Sequence, residues 1–193
     1  MAELVSYWKC ACPPTVEVRC GGLTAWEKNW WKKLYYNGLG EFFYRNGITP
    51  DFDAFMTINA PEESPLTAGT NVLTGTLVPI GGGKDSVVTL ELLKKAGVDI
   101  SAYIINPRGA TLGCAAAAGI PEGRIIGPKR TIDRQLLELN NLGYLNGHTP
   151  FSAVVAFSAE LSACVHGLKY IALSNESSAN ESYVEGTAIN HQY

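Results

Sequence analysis

The chain has 193 residues, of which 46% are hydrophobic and 17% charged, and its formal net charge is −3. Such a composition supplies a real core and excludes a disordered chain, while mild acidity without a Lys/Arg run excludes a nucleic-acid field. No basic stretch leads into an apolar run at the N-terminus, and Ser158, Glu160 and Ser162 interrupt the most apolar helix candidate, so neither a signal peptide nor a membrane span is expected and the cytoplasm is the expected compartment.

In chain order, residues 1–65 read as a small aromatic-rich accessory segment. Cys10, Cys12 and Cys20 lie close together, but every histidine comes after residue 147, so the set lacks a fourth zinc ligand and reads as reduced thiols. Cys114 and Cys164 stand among small apolar residues and read as buried space-fillers. Trp26, Trp30 and Leu34 recur at helical spacing, flanked by Trp31 and Tyr35, with Lys28 and Lys32 on another face. This predicts an amphipathic helix whose aromatic face packs on a core or on protein outside this chain. Gly38 and Gly40 end it, and the Asn46-Gly47 turn signal precedes a strand within 55–59.

Residues 61–69 read as a linker, and residues 70–193 as an α/β domain, a doubly wound parallel sheet with flanking helices. A strand over 72–80 leads to a helix over 85–96, with Val88, Leu92 and Ala96 as its apolar stripe and Gly97 as its C-cap. Between them stand Gly81, Gly82, Gly83, Lys84, Asp85 and Ser86. Consecutive glycines let backbone N–H groups turn inward without Cβ interference, and the helix adds its own unpaired N–H groups and positive dipole end. Such a corner suits phosphate. A Walker A loop would need Gly where Val78 stands and Ser or Thr where Asp85 stands; a dinucleotide fingerprint would need Gly at Ser86. Both are excluded.

Further elements follow: a strand over 100–105, a break at Asn106, Pro107, Arg108 and Gly109, a helix over 111–118, a strand over 124–127 and a helix over 133–140. The loop carrying His148 ends with Thr149 as N-cap and Pro150 at the first helical position. The helix it opens has Phe151, Val154, Val155, Leu161 and Val165 as its apolar face, while Ala153, Ala156, Ala159 and Ala163 allow close approach to the sheet. A last strand over 169–173 delivers Ser174, Asn175, Glu176, Asn180 and Glu181. In open parallel sheets ligands bind beyond the carboxyl ends of strands, so this cluster is expected at the same crevice as the glycine loop.

Residues 81–86 resemble the Ser-Gly-Gly-x-Asp-Ser loop of the ATP pyrophosphatases at every position but the first, where Gly81 replaces Ser. With residues 37–46, 106–108, 146–156, 174–181 and 186–193, the chain resembles the UDP-N-acetylmuramoyl-L-alanyl-L-glutamate epimerase family of bacterial cell-wall synthesis. That resemblance implies an adenine nucleotide alpha hydrolase-like fold, ATP and Mg²⁺ as cofactors, and a UDP-muramoyl dipeptide as small-molecule partner, with no nucleic acid and no membrane. It also implies a longer protein that continues past His191, Gln192 and Tyr193. Gly81, Gly82, Gly83, Lys84, Asp85 and Ser86 would hold the phosphates, with Asn106 and Arg108 as further nucleotide contacts. Asp85 would anchor Mg²⁺ with Glu176 or Glu181 as further oxygen ligands, and Lys84 would offset phosphate charge. His148 is the acid/base candidate, with His191 as its second, and Thr149, Asn175, Glu176, Asn180 and Glu181 would meet substrate. His166, late in its helix, reads as a dipole partner. Two alternatives stay open: an adenylating ligase resembling NAD synthetase or 7-cyano-7-deazaguanine synthase, and an ATP-binding fragment without turnover.

Overall fold

The computed structural model describes residues 1–62, 73–182, 185, 186 and 189, without the side chain of Asn180. His191 and most of the expected linker lie outside the described residues. The chain divides into two compact units, the first comprising Met1–Ala68, Ile132–Phe151 and Ser178–Tyr193, the second Gly69–Thr131 and Ser152–Ser177. The elements are α1 (Val5–Trp8), β1 (Thr15–Glu17), α2 (Ala25–Gly38), α3 (Gly40–Arg45), β2 (Thr57–Asn59), β3 (Thr76–Pro79), α4 (Lys84–Lys95), β4 (Ile100–Tyr103), α5 (Gly109–Ala117), β5 (Ile125–Ile126), α6 (Arg134–Asn141), α7 (Phe151–Val165) and β6 (Tyr170–Ile171). The structure is thus α/β, with parallel sheets and flanking helices.

The first unit centres on aromatic side chains. Trp8 meets Tyr35, Phe43 and Phe55 edge-on at centroid distances of 5.6, 6.5 and 5.8 Å, and its Nε1 donates to the Pro13 carbonyl at 3.0 Å. Leu39, Phe42, Met56 and Ile58 complete this core, beside the parallel pair β1–β2. The inward face of α2 differs from the expected one: Tyr35 is fully buried, whereas Trp26 is 72% exposed and Trp30 is also exposed. Burial pushes the Tyr35 phenol pKa up, and its hydroxyl donates to the Met1 carbonyl at 2.9 Å.

In the second unit the strands run in the order β5-β4-β3-β6, every pair parallel. All residues of β3 are buried, as a central strand covered on both faces requires. Alternation sends Val78 towards Leu90, Ala102 and Ala115 on one face, and Leu77 towards Tyr103, Ala159 and Ala163 on the other. Full burial of a side chain such as Leu77, Val78 or Leu90 contributes about 1.5–3 kcal/mol by leaving water. Of the α7 alanines, Ala159 and Ala163 pack against the sheet as expected.

Two helix stripes are corrected. Helix α4 buries Ser86 and Leu90, while Val88 and Leu92 face solvent; helix α7 buries Val154, Ala159 and Ala163, while Phe151, Leu161 and Val165 are exposed. Cys164, expected inside, is exposed as well. Gly97 closes α4 as expected, with φ +70° and the Val98 N–H donating to Leu93 at 3.0 Å.

Candidate functional site

The chain visits β3, then β4 and β5 on one side, and returns to place β6 on the other side of β3. The boundary between β3 and β6 is therefore the switch point of the sheet, where the connections beyond the carboxyl ends part to leave a crevice. The loop after β3 carries Gly81, Gly82 and Gly83; the loop after β6 carries Ser174, Asn175 and Glu176.

The glycines differ in what they answer to. Gly82 has φ +84°, and a Cβ there would stand 3.3 Å from Thr111, so both backbone and close approach to α5 require glycine. Gly81 and Gly83 lie outside the left-handed region and have nothing within 4 Å of a Cβ position. Neither packing nor backbone conformation explains their lack of side chains; they leave space over the loop. Gly83 is the N-cap of α4 and offers no side-chain cap.

Lys84 lies between two carboxylates. Its Nζ donates to Asp85 Oδ1 at 2.8 Å and to Glu176 Oε2. These bonds, to Asp85 first and Glu176 second, raise the ammonium pKa. The group is solvent-exposed, so screening keeps its contribution to stability small. The arrangement brings one oxygen from each carboxylate onto a single cation. No group of three or more His, Cys, Asp or Glu is placed for a metal among the described residues.

The other expected residues have the following surroundings. Ser86 is buried and its Oγ donates to the Gly83 carbonyl at 2.9 Å, closing its own turn. Asn106, at φ +50°, commits both ends of its amide to Arg130: Nδ2 donates to the carbonyl at 2.9 Å and Oδ1 accepts from the N–H at 2.8 Å. Arg108 stands exposed at the N-cap of α5, and Asn175 is exposed after β6. Glu181 belongs to the first unit.

His148 and Thr149 also belong to the first unit, in a loop held from several directions. The buried Lys9 donates through Nζ to the Gly147 carbonyl and to Thr149 Oγ1, the latter at 2.7 Å. Thr149 thus serves the lysine. His148 Nδ1 lies 3.6 Å from Glu41 Oε2, while Glu41 Oε1 accepts from Arg45 Nε at 2.8 Å. Asn46 Nδ2 donates to the Asn146 carbonyl at 3.2 Å. Sequence reasoning missed Lys9 and Glu41; a lone lysine between Trp8 and Cys10 was the available signal for the first.

Taken together, the second unit is that of a parallel α/β protein with a glycine loop at its switch point. The chain matches the model of the MurL N-terminal domain over residues 1–193, and it belongs to that family. It is 35% identical over 98% of its length to the UDP-N-acetyl-alpha-D-muramoyl-L-alanyl-L-glutamate epimerase of Xanthomonas oryzae pv. oryzae. Identity to the proteins of the same name is 32% over 98% of the chain for a Micromonospora species and 33% over 83% for Salinispora tropica. The chain spans 42% of the length of the first two relatives and 35% of the third. No solved structure matches it.

Proposed function

We propose that this chain supplies the nucleotide-binding part of an enzyme that inverts the terminal L-Glu of UDP-MurNAc-L-Ala-L-Glu to D-Glu with ATP, in the cytoplasmic synthesis of peptidoglycan precursors. The observation that carries the reading is the open glycine loop facing the Asp85–Glu176 pair across the switch point. The names of the relatives supply the substrate.

The chemistry explains why ATP is needed. A carboxylate beside Cα opposes loss of the Cα proton, and a positioned base contributes only about 10²- to 10⁴-fold where enzymes supply 10⁶ or more. In the proposed first step a glutamate carboxylate oxygen bonds to the α-phosphorus of ATP as the bond to the β-phosphate oxygen breaks. The products are an acyl-adenylate and pyrophosphate. The acyl carbonyl no longer carries the carboxylate charge, so a general base can take the Cα proton; a proton returns on the other face, and water releases AMP. The loop N–H groups and the α4 N-terminus suit the departing pyrophosphate. Bound Mg²⁺ would neutralise phosphate charge, and Asp85 and Glu176 are a fitting pair for it, since Mg²⁺ takes one or two carboxylates plus phosphates.

The test uses a protein of the relatives' length with ATP, Mg²⁺ and the muramoyl dipeptide in deuterated water. Pyrophosphate release with deuterium entry at the glutamate Cα is expected; pyrophosphate without deuterium would indicate ligase chemistry and overturn the epimerase reading. Lys84→Ala and Asp85→Asn should each lower pyrophosphate formation by about 100-fold or more with folding intact. Full activity in both variants would sink the loop assignment.

A further inference from the structure

Helix α5 carries no charged residue: apart from Thr111, its nine residues are all apolar or glycine. A helix without a polar face belongs in an interior, yet Ala115 is the one residue of α5 that is buried, while Ala110, Leu112, Gly113, Ala116 and Ala117 are exposed. Between α4 and α5 runs a groove of about 220 Å³, with Val87 and Leu90 on one side and Ala110, Gly113, Cys114 and Ala117 on the other. Glu91 is the one charged residue lining it. Gly113 stands in the middle of α5, where glycine is unfavourable relative to alanine. Its φ is outside the left-handed region, and nothing lies within 4 Å of its Cβ position. No described residue therefore requires glycine there, whereas a long side chain would reach into the groove. The first turn of α5 also adjoins the glycine loop, since a Cβ on Gly82 would stand 3.3 Å from Thr111.

The family is that of an N-terminal domain, and the chain spans 42% of the length of its first two relatives, so more than half of a protein of that length lies outside these residues. We propose that the α4–α5 groove receives an apolar helix from that remaining part, with Gly113 at the closest approach of the two backbones. Ala110, Gly113 and Ala117 share one side of α5 at helical spacing and let a second helix come near, and Val87 adds exposed apolar surface opposite them. The docked helix gives α5 the cover that its composition requires and stands beside the glycine loop. The proposal rests on the family membership and is independent of nucleotide binding.

Cys114 lines the groove and is partly exposed, whereas Cys20 and Cys164 are exposed elsewhere, so alkylation by N-ethylmaleimide, read at each cysteine by mass spectrometry, reports the cover directly. Rates are compared between the 193-residue chain and a protein of the relatives' length that contains it. Cys114 should react about tenfold or more slowly in the longer protein, with Cys20 unchanged. Gly113→Arg finds open space in this chain, so the 193-residue variant should melt at or above the wild-type temperature. In the longer protein the same substitution should bring the Cys114 rate up to that of the 193-residue variant. Equal Cys114 rates in the two wild-type proteins, whether or not Cys164 is protected, overturn the proposal, as does protection that survives Gly113→Arg. Slowing of the Cys114 reaction as the 193-residue chain is concentrated assigns the groove to a second copy and overturns it too. A lower melting temperature for the 193-residue Gly113→Arg variant shows that α5 itself requires the glycine, and likewise overturns the proposal.

Discussion

Lys9 and His148 show how a position can be prepared far along the sequence. Lys9 is buried, and its donors reach the residues on either side of His148, while Glu41 approaches the imidazole from α3. Burying an ammonium is unfavourable unless its hydrogen bonds are made, so the clamp is a costly way to hold an ordinary loop and an effective way to fix one imidazole. Lys9→Met removes the charged donor from the Gly147 carbonyl and the Thr149 hydroxyl, and should destabilise the chain by about 2 kcal/mol in urea unfolding. A midpoint equal to wild type would show that the clamp does not contribute. None of this was legible in the sequence, because the partners are 138 and 140 residues apart. The glycine loop was legible: its backbone requirements are local and are written in consecutive residues.

Helix α2 begins with a reciprocal cap. The Glu27 N–H donates to Thr24 Oγ1 at 3.2 Å, and Glu27 Oε2 accepts from the Thr24 N–H at 2.7 Å and from its hydroxyl at 2.8 Å. These bonds, the backbone one foremost, lower the Glu27 pKa. A carboxyl depressed in the folded state stabilises it above the unfolded pKa, and that contribution is lost as pH falls through the folded value. Thr24→Ala should cost about 1 kcal/mol at neutral pH. The difference from wild type should narrow in acid, where Glu27 is protonated in both proteins; denaturant titrations at the two pH values read this directly. A gap that widens in acid would contradict the cap.

Element order was more legible than helix orientation. Every strand and helix expected between residues 72 and 173 is present, α6 within the first unit, with shorter strands, because apolar runs and glycine punctuation are local signals. Val88 and Leu92 on α4, and Leu161 and Val165 on α7, form apolar stripes as regular as the buried ones, yet they face solvent. Periodicity names a stripe without naming the neighbour that covers it. On α4 the choice falls to Leu90, which packs against Val78 and Ala115, residues reached only through tertiary structure.

At the scale of the whole molecule, several large apolar side chains of the second unit remain uncovered, including Leu161, Val165, Tyr170 and Leu173. Exposed apolar surface of this kind promotes association. Leu161→Lys combined with Val165→Glu should leave the circular dichroism spectrum unchanged and lower light scattering on concentration; a loss of helix signal would show that these side chains belong to the core. No helix among the described residues is long and apolar enough to cross a membrane.

The pairing of β3 with β6 has one more consequence, in time. It joins residue 76 to residue 170, and the intervening chain includes a stretch, Ile132–Phe151, that belongs to the other unit. Long-range pairing of this kind closes late, after the loop entropy between its ends has been overcome. On the ribosome the glycine loop emerges early, while the strand that walls its crevice comes near the end of these 193 residues. A nascent chain halted before residue 170 would carry the complete glycine loop without Glu176, the carboxylate that reaches Lys84 from beyond β6.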